Sequence, residues 1–345
     1  MEAAAVSSSS SPSTFTEKVR HRQSGIITYG ITPPKVATEA SKLPTMAQTQ
    51  ADRIRGLGAA CDGVILYDIH DEKDRTPNTA RPFPFAATLD GLQWAATMGD
   101  VGKPYVHFRC IAKYEADEFR SQLATQFVTS ASTGTSMGNH NEAVVIVGGA
   151  AASQKLPFNM DDAYGMRREV AGEVPLGAVA IPERHAAKGN EHERMVQKQR
   201  QGVSFFVTQC VYNLEDAKNL LSDYAALCRQ EGLPVMPILI TLTPCGSAKT
   251  LEFLRWLGVK VSKWLENDLL QADTDGHILE ESVDALIHLF RELVHFAKRK
   301  GIPLGCNVES VAIRKVEIEA SLRLVAEVRS ILDKSNDVAV SASSP

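Results

Sequence analysis

The chain has 345 residues, with 37 basic and 41 acidic side chains and a formal net charge of −4. So even a balance gives no electrostatic basis for gripping nucleic acid or an anionic membrane surface, and no stretch approaches the roughly 18 uninterrupted apolar residues that span a bilayer. With 44% hydrophobic residues the chain can bury a core sufficient for one large domain or two ordinary ones.

Residues 1–22 open with a serine run, Ser7 to Ser11, followed by Pro12, Ser13 and Thr14. Such a segment buries too little apolar surface to fold and reads as a disordered tail without the apolar stretch of a secretory signal. Eight β-like runs follow: Gly25–Ile31, Gly63–Ile69, Pro104–Cys110, Ala143–Gly148, Leu176–Ile181, Ser204–Cys210, Val235–Thr241 and Pro303–Val308. Most are continuously apolar rather than alternating, the pattern of parallel strands covered on both faces. Helix-like segments lie between them. One opens at Asn213 with early acids and carries Leu220, Leu221, Tyr224, Ala225 and Cys228 at helical spacing. Another runs from Leu279 to Arg299 and stops before Gly301, and Val316 to Leu332 forms the last. A short polar tail, residues 335–345, ends the chain.

Eight strand–helix pairs are what a closed barrel requires, so the chain is expected to form a single α/β domain, a (β/α)8 TIM barrel over residues 23–334. An open doubly wound sheet would show a glycine-rich phosphate turn after its first strand, where this chain has Thr32-Pro33-Pro34-Lys35. None of the six cysteines forms a CxxC pair, and they read as buried, reduced thiols in a cytoplasmic protein.

Active sites of such barrels sit at the C-terminal ends of the strands. Strand two ends in Tyr67-Asp68-Ile69-His70-Asp71-Glu72, strand three carries His107, and strand four ends at Gly148-Gly149-Ala150, leaving room for a ligand against the backbone. Strand five runs into Glu183 and His185, an acid–base pair in spacing. Strand six ends at Thr208-Gln209, whose amide offers donor and acceptor to a heterocycle edge, and strand eight ends at Glu309. The loop from Arg75 to Phe85 holds two arginines and two phenylalanines that would clamp an anionic aromatic ligand or simply plug the rim.

Several of these segments together resemble methylenetetrahydrofolate reductase. Val179-Ala-Ile-Pro-Glu-Arg-His185 is similar to that family's Ala-x-Tyr-Pro-x-x-His, and Gly202-Val-Ser-Phe-Phe-Val-Thr-Gln209 to its Gly-Ala-x-x-x-x-Thr-Gln. Thr32-Pro-Pro-Lys35 and Val106-His107-Phe resemble its strand-one and strand-three motifs. The resemblance implies an oxidoreductase of one-carbon metabolism that passes hydride from NAD(P)H through FAD to a small-molecule folate substrate, with self-association into a homo-oligomer left open. It implies folate contacts for Gln209, Thr208 and Glu183. It implies flavin contacts for His107, His185 and the Gly148-Gly149-Ala150 turn.

The chain departs from the family where the chemistry is densest. The glutamate that serves the family as general acid on strand one is matched by Gly30, and the flavin-contacting Leu-Arg-Gly-Asp by Val147-Gly148-Gly149-Ala150. From strand-end position, Asp68 and Glu309 are the acids that could take over, with burial raising their pKa. Two other readings stay open: a barrel that binds folate or flavin without turnover, and a metal-assisted lyase or transferase using Asp68, His70 and Glu309.

Overall fold

The computed structural model describes residues 14–72, 79–127, 142–149 and 154–341, with side chains up to residue 335. Ala150 and residues 73–78 of the proline-rich loop lie outside the described residues. The chain forms a short helix α1 (Phe15–Arg20) and then β1 (Ile27–Ile31), α2 (Leu43–Gly56), β2 (Gly63–Leu66), α3 (Gly91–Met98), β3 (Tyr105–Cys110), α4 (Ala116–Phe127) and β4 (Ala143–Val147). The second half holds α5 (Met160–Ala171), β5 (Leu176–Ala180), α6 (Pro182–Lys188), α7 (Glu191–Arg200), β6 (Val203–Cys210), α8 (Leu214–Gln230) and β7 (Ile238–Leu242). It finishes with α9 (Ala248–Trp256), α10 (Lys263–Asp275), α11 (Ile278–Lys300), β8 (Leu304–Glu309) and α12 (Lys315–Ser341). All eight strands are parallel, each pairs with its sequence neighbour, and β8 closes on β1, so the fold is a (β/α)8 barrel.

Strand alternation divides the core in two. Ile26, Ile65, Val106, Phe108, Val145, Phe205, Val207 and Leu239 point inward and fill the barrel. The alternate residues, such as Val64, Tyr105, Val144 and Ile240, pack outward on the helices. Both faces are buried, which explains why the strands read as unbroken apolar runs. The helices end where their sequences demand. The Asn213 side chain accepts from Asp216 N at the start of α8, and α11 stops at Gly301 in the left-handed conformation.

Two tail assignments need correction. Residues 14–20, placed by composition in a disordered tail, form α1 and close the barrel floor. Phe15 stacks edge-on against Phe205 at 5.5 Å, and Phe15, Thr16 and Val19 are buried. Thr14 and Glu17 make a capping box, and Lys18 reaches Asp62 at 2.7 Å. The signal was Phe15-x-x-x-Val19, one apolar helical face beside the serine run. At the other end the helix α12 continues past Ser335 to Ser341. All six cysteines are buried and unpaired, and no helix of the described residues is long and apolar enough to cross a membrane.

If α1 seals the floor, Phe15→Ala should leave a cavity under Phe205 and cost about 3–5 kcal/mol, read as a lower midpoint in urea denaturation with an unchanged slope.

Candidate functional site

The C-terminal end of the barrel is organised around Glu309, the last residue of β8. Closure of the sheet pairs β8 with β1 in a register that sets Glu309 directly opposite Gly30. A Cβ at Gly30 would stand 2.8 Å from the Tyr67 ring and 3.1 Å from Glu309 Cβ. The missing side chain of β1 is therefore the space that Tyr67 and Glu309 occupy.

Five strands converge on this carboxyl. The Cys210 thiol of β6 donates to Glu309 Oε1 at 3.2 Å. Asn307 Nδ2 of β8 lies 3.5 Å from Glu309 Oε2 and donates to the Tyr67 hydroxyl at 2.8 Å. Thr28 of β1 donates to Asn307 Oδ1 at 3.0 Å, and Asn307 also reaches the Thr241 hydroxyl of β7 at 3.3 Å. Burial raises the Glu309 pKa, while hydrogen bonds from Tyr67, Cys210 and Asn307 pull it back only in part. Tyr67 and Cys210 are pushed well above their ordinary values by burial first and by the Glu309 charge second, so both remain neutral donors. The result is a buried carboxyl whose pKa is held above the ordinary carboxylate value, the direction that favours a donor role.

A second carboxyl, Glu183, sits on the first turn of α6. Burial pushes its pKa up to about 7, opposed by a hydrogen bond from Lys260 N. Its charge is felt by Cys210, as is that of Glu309, so both carboxyls flank the end of β6. The turn after α9 folds over this side of the mouth. Gln209 Nε2 donates to Leu257 O at 3.2 Å, Lys260 N donates to Glu183 Oε1 at 3.4 Å, and Lys260 Nζ faces Asp216 at 3.2 Å. Outside the mouth, a cleft of about 100 Å³ lies between β1 and the helices α2 and α12, lined by Tyr29, Gln50, Arg53 and Ile318 among others.

The remaining expected residues lie elsewhere. His107 is on the outward face of β3. Its Nε2 is 3.5 Å from Glu142, and its ring lies against Tyr105 and Phe127. It therefore does not open onto the mouth. The reason is parity, because Val106 and Phe108 take the inward positions. His185, expected beside a flavin, is in α6 and turns into the helix layer, 3.1 Å from Asp223. Thr208 is committed to the β6–β7 ladder, accepting from Thr241 N through Oγ1 at 2.9 Å. Asp68 accepts from Cys110 N and the Tyr114 hydroxyl, both at 2.9 Å, and from Lys113, anchoring the β3–α4 connection rather than facing Gly30. His70 lies against the Cys110 thiol at 3.2 Å. With Asp68 engaged at the β3–α4 connection, Asp68, His70 and Glu309 do not come together as a metal set among the described residues. At the end of β4, a Cβ on Gly149 would meet Gln154 Oε1 at 2.5 Å, and Gly148 faces Met160. The Gly148-Gly149 turn thus accommodates the chain's own side chains.

The loop after β2 meets α9. The Arg81 guanidinium lies over Phe85, Phe253 and Trp256 at 5.1–5.4 Å, and the Trp256 indole donates to Thr79 O. Arg81 is spent on aromatic packing there, the rim-plugging reading of this loop. Sequence reasoning gave no role to Tyr67, Asn307 or Cys210. Asn307 was reachable, since it shares the inward face of β8 with Glu309 at i, i+2.

No protein-family model matches the chain, and no curated protein matches it in sequence. Among solved structures it is similar to an uncharacterized protein from Clostridium thermocellum that binds two copies of 5-methyl-5,6,7,8-tetrahydrofolic acid. That match has 40% identity and a TM-score of 0.77, over 92% of this chain and 100% of that one. A Thermobacillus composti family 10 xylanase matches with 14% identity and a TM-score of 0.45, over 91% and 99% of the two chains. A 2,3-dimethylmalate lyase matches with 13% identity and a TM-score of 0.38, over 95% and 97%.

Two outcomes follow from this geometry. Gly30→Ala must displace the Tyr67 ring and should cost about 1–3 kcal/mol by urea denaturation. For Glu183, the folded state holds its proton up to about pH 7, whereas the unfolded chain releases it near its ordinary value, so its stabilising share is complete at low pH and is lost as pH rises through that window. Glu183→Gln should therefore flatten the fall in stability between pH 5 and pH 8 by about 2–3 kcal/mol.

Proposed function

Since this chain belongs to the family of the Clostridium thermocellum protein that binds 5-methyl-5,6,7,8-tetrahydrofolic acid, we propose that it is a folate-binding barrel whose ligand's pterin ring enters the C-terminal mouth and meets the carboxyl of Glu309. The observation that carries this reading is the register of β1 with β8, which sets Glu309 opposite Gly30. In the reductase family that this sequence resembles, the acid that serves the folate stands at the position of Gly30. Here a carboxyl reaches the same gap from the neighbouring strand, and burial raises its pKa, the direction that a donor to a ring nitrogen requires.

The other groups suit the ligand. A pterin presents alternating donors and acceptors on its edge, which the Gln209 amide and the half-protonated Glu183 can meet from the β5–β6 side.

A flavin is supported less well. Of the residues assigned to it by resemblance, His107 and His185 face the helix layer, and Gln154 packs closely against Gly149. These placements lend the flavin reading less support than the folate one, and we propose no hydride step through FAD or NAD(P)H.

Calorimetric titration of the full chain with 5-methyltetrahydrofolate should give saturable binding. Glu309→Ala should weaken it about 10- to 100-fold, the range expected for a lost hydrogen bond to a charged or strongly polar partner, and Glu309→Gln should weaken it less. Absence of saturable binding, or parental affinity in Glu309→Ala, overturns the proposal. A bound-flavin spectrum together with NAD(P)H oxidation dependent on methylenetetrahydrofolate would establish the reductase reading instead.

A further inference from the structure

Outside the barrel, three helices bring together a donor set that the folate reading does not use. His185 lies on α6, His192 on the first turn of α7, and Asp223 in the middle of α8. One ligand atom from each lies within 4.8 Å of the other two. His185 Nε2 is 3.1 Å from Asp223 Oδ2, and the two imidazole rings stand 5.1 Å apart at 82°.

A simple His185–Asp223 ion pair explains only part of this. It leaves His192 without a reason to face His185, and it leaves Nδ1 of both histidines buried with no hydrogen-bond partner. Two adjoining imidazoles completed by a carboxylate are a favourable donor set for a divalent metal of borderline softness.

We propose that His185, His192 and Asp223 form a zinc site on the outer face of the barrel, with a fourth position open to solvent. Zinc bonds of about 2.0–2.1 Å in tetrahedral geometry hold ligand atoms about 3.3 Å apart, so the set must contract. The contraction falls to Asp223, whose side chain is 54% exposed, and to the partly exposed His192; His185 stays fixed in the helix layer. The metal would clamp α6 and α7, which are joined by a two-residue turn at Gly189-Asn190, to α8. The same short α6 presents Glu183 at the mouth, so the clamp fixes the helix that carries one of the two mouth carboxyls.

The test uses the full chain stripped with EDTA and titrated with zinc chloride by calorimetry, then with cobalt(II) by visible absorption. One zinc per chain is expected, with cobalt bands of tetrahedral intensity and a higher melting temperature on zinc addition. His192→Gln and Asp223→Asn should each lower zinc affinity about 100-fold or more, beyond the effect typical of an outer-shell partner, while the metal-free melting temperature stays near the parent's. Folate titration of the same samples keeps this result separate from the mouth site. Lack of saturable zinc uptake overturns the proposal, and so does uptake that persists unchanged in both variants.

Discussion

The register in which β8 closes on β1 governs most of what this molecule can do. A parallel barrel has no free choice at closure, because the shear that seals the sheet also decides which strand-end residues stand opposite each other. Here closure puts Glu309 across from Gly30, Asn307 across from Thr28, and Cys210 near enough to donate to the carboxyl. A slip of one residue would turn Glu309 outward into the helix layer and bring Val308 to the mouth. The buried carboxyl is thus a product of the sheet's geometry before it is a product of any loop.

The network around it is a neutral one. Tyr67, Asn307, Thr28, Thr241 and Cys210 all meet the carboxyl or each other through uncharged groups, and among the described residues no basic side chain is hydrogen-bonded to Glu309. A lysine or arginine in this position would hold Glu309 as a permanent anion. Hydroxyl, amide and thiol donors compensate burial only in part, so the carboxyl's pKa stays above its ordinary value.

The barrel was legible because its strands are buried on both faces, and that physical fact is written in unbroken apolar runs such as Ala143–Val147 and Ile238–Leu242. The plug helix was missed because only Phe15 and Val19 mark it, a single turn of apolar spacing beside a serine-rich segment. Glu309 could be nominated from its place at a strand end, but its relation to Gly30 depends on closure between the first and last strands, which no local pattern encodes. His107 and His185 failed for two different reasons. His107 was placed by motif without counting strand parity from Val106. His185 was read as following directly on strand five, where Pro182 in fact starts a helix that swings the imidazole away from the mouth.

The plug at the floor has a consequence for the far end. With Phe15 seated under Phe205 and the interior packed by Val106, Phe108 and Leu239, the tube is blind, and solvent exchanges with Glu309 through the upper opening. A blind tube leaves the carboxyl a single route to water, so whatever covers that one opening governs how the buried network communicates with solvent.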